Sequence, residues 1–131
     1  MKNKSRSVCI IIQNNEGKIL LMLRDDKPEI RFPNKWITLG GVVENGETPN
    51  DAIKREIMEE IEIDLKDFVL FKEYKWPEKT EYVYYAILDL EPAKIKLHEG
   101  QDIKYFTLGE VKNVDLAFHD NQIIEDFRNT T

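Results

Sequence analysis

Residues 41–63 read GVVENGETPNDAIKREIMEEIEI, and their spacing predicts a helix from Pro49 to Ile61. Thr48 suits the N-cap, Pro49 the first helical position, and Asp51 completes an arrangement like a capping box. At about 100° per residue, with Ala52 as origin, Glu56 falls at about 40°, Glu59 at about 340° and Glu60 at about 80°. These carboxylates therefore share one face. Ile53, Ile57 and Ile61 follow at i, i+4 and i+8 on the neighbouring face, an apolar stripe by which the helix docks on a sheet. Ala52 lies in the middle of the acidic arc, where a small side chain leaves room for an ion or for the preceding loop.

An ordinary solvated face explains this arc poorly. Glutamates at i, i+3 and i+4 repel one another by roughly 0.2 to 0.5 kcal/mol per pair, and only Arg55 is placed at i, i+4 to offset Glu59. A hard divalent cation turns the repulsion into attraction, because Mg²⁺ and Mn²⁺ favour carboxylate oxygen together with water and substrate phosphates.

Outward from the helix, residues 7–13 and 18–24 read as two strands of a hairpin joined by Asn14, Asn15, Glu16 and Gly17. Pro28 and Pro33 keep residues 25–35 out of helix, and a loop of that length is often functional. A short strand is expected over residues 36–39, ahead of Gly40 and Gly41, with further strands over 67–74, 81–89 and 104–108. Ile123, Ile124 and Phe127 at helical spacing predict an amphipathic helix over 120–128. No internal repeat divides the chain.

The 131 residues, 41% hydrophobic and 34% charged, read as a single domain over 1–131 with ordinary globular composition. The apolar run from Val8 to Ile12 is far too short to span a bilayer or to serve as a secretory segment. Cys9 lies within that run and reads as a small buried hydrophobe; one cysteine permits no intrachain disulfide, which fits a reducing cytoplasm. A formal charge of −6 argues against a DNA or RNA polymer as partner but not against one small anionic substrate held through a cation. His98 and His119 have neither metal-like spacing nor a visible carboxylate partner, so both read as structural or solvated.

Gly41, Glu47 and the run Arg55, Glu56, Ile57, Met58, Glu59, Glu60, Ile61, Glu62, Ile63 resemble the Nudix box, with Glu62 standing where the family has glycine. Leu39 also departs from the proline frequent before the glycine pair. The resemblance implies an α/β fold, an α/β/α sandwich with a mixed sheet between helices, and a metal-dependent hydrolase that cuts a diphosphate linkage. It implies Mg²⁺ or Mn²⁺ held by Glu56, Glu59 and Glu60 with the carbonyl of Gly40, and Glu47 with Arg55 orienting them. The general base is either Glu56 or Glu99, since Glu99, Gly100, Gln101 and then Tyr105, Phe106, Thr107, Leu108 are similar to a segment of MutT-type enzymes.

A nucleoside triphosphate is the leading substrate expectation, with ADP-ribose or a nucleotide sugar as the alternative. A silent nucleotide-binding module of the same fold is the rival from another class, and the chain is expected as a monomer or homodimer. Arg24, with Lys27, Arg31 and Lys35, is expected to meet phosphate charge. Phe32 and Trp36 are candidates to stack on the nucleoside and Asp120 to read a base edge, where MutT-type enzymes carry asparagine. Glu62 departs more consequentially for the helix end: a left-handed glutamate costs on the order of 1 kcal/mol, so the helix is expected to end differently or to run on.

Overall fold

An unbroken apolar run cannot lie in a sheet with one wet face, and Val8 to Ile12 form the centre of a strand covered on both sides. In the computed structural model, which describes residues 5–130, this strand is β1 (Ser5–Gln13). Val8, Ile10 and Ile12 enter one core with Ala52, Ile53, Ile57 and Ile61 of α1 (Pro49–Ile61). Cys9 and Ile11 enter a second core with Ile123, Ile124 and Phe127 of the C-terminal helix, α3 (Asp120–Arg128). The α/β/α layering thus follows from the two-residue period of one strand.

The remaining strands are β2 (Ile19–Leu23), β3 (Trp36–Ile37), β4 (Leu39–Val42), β5 (Val69–Lys75), β6 (Lys79–Ile87) and β7 (Asp102–Phe106). β1 runs parallel to β6 and antiparallel to β4, so the sheet is mixed. The expected hairpin survives only at its tip: β1 and β2 pair at Gln13 and Ile19 and then part, β2 turning to β3 and β7. This splay exists because β4 takes the edge of β1 that a longer hairpin would have used.

Residues 36–39 are not one strand. Thr38 breaks the run by donating its N–H and hydroxyl to Asp120 Oδ2, at 2.8 and 2.9 Å. The glycine pair lies inside β4, pairing with Val8 and Cys9 of β1. Leu108, expected at the end of a strand, instead opens a short helix, α2 (Leu108–Val111), because Thr107 and Glu110 form a reciprocal capping box. At the other end of the sheet, β5 is the edge strand beyond β6.

At its N-terminus α1 has the expected cap, Thr48 Oγ1 accepting from the N–H of Asp51 at 3.1 Å, but without the return bond from the Asp51 side chain that would complete a capping box. Its C-terminus does not run on. Glu62 takes the left-handed conformation, φ 55 and ψ 39, and its N–H closes onto the carbonyl of Met58. Its carboxylate then lies 3.1 Å from His98 Nε2 and 3.6 Å from Lys96 Nζ, so His98 does have a carboxylate partner. These pairs are exposed and contribute little, whereas the backbone conformation favours glycine. Glu62→Gly is expected to stabilise the protein by about 1 kcal/mol, read as a raised urea midpoint at unchanged m-value.

Candidate active site

Arg55 organises the acidic face of α1. Its Nε and one terminal nitrogen grip the Glu47 carboxylate in a fork, at 2.7 and 2.9 Å. The other terminal nitrogen donates to Glu56 Oε1 at 2.8 Å and reaches Glu59 Oε2 at 3.3 Å, while the first also donates to the carbonyl of Val42. Glu47 is fixed in turn by accepting the N–H of Glu44. The Arg55 hydrogen bonds hold the Glu47 carboxyl down at about 2, so the fork stays charged through the neutral range.

Gly41 lets the helix approach β4, and Gly40 lets β4 lie close to β1. A methyl group on Gly41 would sit 2.4 Å from the Glu56 carboxylate, and one on Gly40 would sit 2.1 Å from the carbonyl oxygen of Val8. The N–H of Gly40 donates to Glu60 Oε1 at 3.1 Å. Glu60 is only 2% exposed. Burial, and then the charges of Glu56 and Glu99, push its carboxyl up to about 9. Burial also raises Glu56, against the pull of Arg55.

Glu99 reaches this cluster from the loop after the 3₁₀ turn Pro92–Lys94. The N–H of His98 donates to the carbonyl of Glu60, and that of Gln101 to the carbonyl of Leu23. Gln101 Nε2 donates to the carbonyl of Arg24 at 2.7 Å. Gly100 has φ +81, and a methyl group there would meet Leu23 and Met22. The loop is thus held on both sides of Glu99. With Glu56, Glu59 and Glu60, the donors are all carboxylate oxygens, and the partly buried arrangement carries more negative charge than Arg55 neutralises. That donor set fits a hard divalent cation.

On the opposite face of the sheet lies a cavity of about 510 Å³. Its floor is Ser7, Cys9, Glu81 and Asp120, and its rim includes Arg24, Arg31, Lys79 and Phe118. Asp120 is not the N-cap of α3, which is His119; it joins α3 to the β3–β4 junction through Thr38. Burial pushes its carboxyl up to about 7, helped by Glu81. Cys9 is buried as expected, but against Glu81 and Asp120 rather than hydrocarbon alone.

The other substrate candidates divide. Arg24 lines the cavity and also the cleft beside Glu99, although its Nε is engaged by the carbonyls of Arg31 and Phe32. Phe32 packs against Phe118 at 4.7 Å between ring centroids and so supports the rim indirectly. Trp36 packs edge-on against Phe106 in the second core, and Lys35 pairs with Asp115 at 2.5 Å. Both are drawn away from the cavity by those partners. His119 stacks on Trp76 and pairs with Glu78 at 2.8 Å, a partner invisible in sequence. Ser7, Glu81, Lys79 and Phe118 were not singled out by the sequence reading. The signal available for Ser7 and Glu81 was a polar residue on the buried face of an apolar strand.

The NUDIX domain family model matches residues 3–127. The chain is 35% identical over 124 residues to the nucleoside triphosphatase NudI of Escherichia fergusonii, covering 86% of this chain and 85% of that protein. In fold it is similar to a MutT protein from Methanosarcina mazei Go1, with a TM-score of 0.76 at 22% identity over 98% of this chain and 96% of that one. It is also similar to the NUDIX domain of Shewanella oneidensis NrtR complexed with ADP ribose, with a TM-score of 0.79 at 20% identity over 99% of this chain and 90% of that one.

Two outcomes follow from the cluster. Gly41→Ala is expected to displace the Glu56 carboxylate and weaken Mg²⁺ binding roughly tenfold or more, measured by titration of the folded variant. Because Glu60 is held up at about 9, it is protonated at pH 7 in the metal-free protein, and a ligating carboxylate must lose that proton. Mg²⁺ binding is therefore expected to release about one proton and to strengthen as pH rises toward 9. Calorimetry in two buffers of different ionisation enthalpy reads this directly, and equal heats in both would contradict it.

Proposed function

The chain belongs to the Nudix hydrolase family, and from that premise we propose that it is a Mg²⁺-dependent pyrophosphohydrolase of nucleoside triphosphates. The mutual charge interaction of Glu56, Glu59, Glu60 and Glu99 beside the Arg55 fork carries this reading, and the similarity to NudI favours a triphosphate over ADP-ribose or a nucleotide sugar. Glu56, Glu59 and Glu60, with the carbonyl of Gly40, would hold Mg²⁺ or, in its place, Mn²⁺. When bound, such a cation withdraws charge from the phosphates and makes phosphorus easier to attack.

The chain's own residues then have separable tasks. Arg55 fixes the positions of Glu47, Glu56 and Glu59 through its fork, and Arg24 offers charge to the phosphate chain at the end of β2. Glu56 is already engaged by Arg55 and pressed against Gly41. Glu99 stands on a loop tied down at His98 and Gln101. Glu99 is accordingly the preferred general base, taking the proton of the attacking water on a carboxylate oxygen. As water joins phosphorus, the bridging oxygen departs with the bond's electron pair.

Release of phosphate or pyrophosphate from nucleoside triphosphates, ADP-ribose, dinucleoside polyphosphates and nucleotide sugars, with Mg²⁺, Mn²⁺ or chelator, tests the assignment. Metal-dependent turnover of triphosphates is expected; turnover of ADP-ribose alone would replace the substrate, and nucleotide binding without any turnover would favour a silent module. Glu59→Gln and Glu60→Gln are expected to lower kcat by at least about two orders of magnitude with the fold retained. Glu99→Gln is expected to fall comparably, and a wild-type rate there would return the proton transfer to Glu56.

A further inference from the structure

Glu62 stands where the backbone favours glycine, with φ 55 and ψ 39, and what a glycine would lack there is a side chain that reaches the segment carrying Glu99. Its Oε1 lies 3.1 Å from His98 Nε2, and its Oε2 lies 3.6 Å from Lys96 Nζ. An ionised carboxylate only accepts, so the contact with His98 is an imidazole N–H donating to Glu62, from the neutral Nε2–H tautomer as from the charged ring.

His98 is also held through its backbone. Its N–H donates to the carbonyl of Glu60 at 3.0 Å, one of the carbonyls that a helix end leaves without an intrahelical partner. The residue before Glu99 is therefore attached to the end of α1 at two points, one by main chain and one by side chain. One hydrogen bond leaves a segment able to pivot about it, whereas two fix its orientation. Beyond Glu99 the chain is anchored to β2, the N–H of Gln101 donating to the carbonyl of Leu23 at 2.8 Å. Gly100 permits that approach, with φ +81 and the Leu23 carbonyl oxygen 2.7 Å from where a methyl group would stand. Because this permissive residue lies between Glu99 and the second anchor, the direction in which Glu99 leaves the chain is set mainly from the His98 side.

We infer that Glu62 is a positioning residue: through His98 it aims the Glu99 carboxylate toward the acidic cluster of α1. The inference rests on the reading of Glu99 as general base. Glu99 acts on Glu56 and Glu60 through its charge, and that repulsion pushes the loop outward, so an anchor beside Glu99 opposes the displacement. His98 and Glu62 are 50% and 44% exposed, which limits the effect to the size an exposed pair supplies. A glycine at this position would relax the helix end and release the loop, so stability and turnover move in opposite directions in one variant.

The test is kcat and KM on a nucleoside triphosphate at saturating Mg²⁺, beside amide hydrogen exchange of His98 in the metal-free protein. Glu62→Gly is expected to raise the urea midpoint and yet to lower kcat about two- to fivefold with KM unchanged, and to speed exchange at His98 by a similar factor. His98→Ala is expected to lower kcat equally, and the double variant no further, as for two partners of one contact. Glu62→Gln keeps an oxygen that accepts from the imidazole and is expected to restore most of the rate, which the loss of a negative charge near the cluster would not allow. In a Glu99→Gln background, Glu62→Gly is expected to have no further effect. A wild-type kcat in Glu62→Gly, additive losses in the double variant, or equal losses in Glu62→Gly and Glu62→Gln overturns the inference, while an impaired Glu99→Gln keeps Glu99 as the base. A wild-type rate in Glu99→Gln overturns the base assignment and the inference together.

Discussion

Carboxylates that a helix and a loop bring within reach of each other's charge repel, and one guanidinium holds Glu56 and Glu59 in register. Arg55 spends its donors on Glu47, Glu56, Glu59 and the carbonyl of Val42. It thereby ties the loop before α1, the helix itself and β4 into one frame. A lysine could supply the charge but not the planar fork, and the frame would lose its geometry before its electrostatics. Arg55 does not neutralise all of these carboxylates, and the repulsion that remains suits the divalent cation proposed for this site.

That frame in turn depends on backbone contact between β4 and α1. Gly41 leaves room for the Glu56 carboxylate against the strand, and the N–H of Gly40 donates to Glu60. Burying Glu60 in this way disfavours its charge. A buried, like-charge-crowded carboxylate makes this site sensitive to pH.

The acidic part of the candidate site was legible in sequence because its logic is local. Spacing along α1 gave the acidic arc, the isoleucine stripe and the N-cap, and these features need no knowledge of distant strands. The cavity on the α3 face was less legible because it is assembled by strand register. Ser7 and Glu81 are 74 positions apart and become neighbours only through the parallel pairing of β1 with β6. Trp36 and Lys35 were drawn into the substrate list by their place in a loop, while their actual partners, Phe106 and Asp115, come from the last third of the chain. The hairpin expected from residues 7–24 failed for a related reason: local turn chemistry brings two strands together, but competition from β4 decides how far they stay together. Glu62 illustrates the converse. The fold imposes a left-handed helix end on whichever residue stands there, and sequence preference yields.

β4 has a further consequence as a partition one backbone thick. Leu39 and Gly41 turn toward α1, while Gly40 turns toward the cavity on the other side. The acidic cluster and the cavity therefore lie on opposite sides of the same short strand. In such a layout, inheritable change can explore the walls of one compartment while the other keeps its geometry. A descendant of this chain could acquire a new ligand by altering a handful of strand positions, without having to reinvent the means of cleavage.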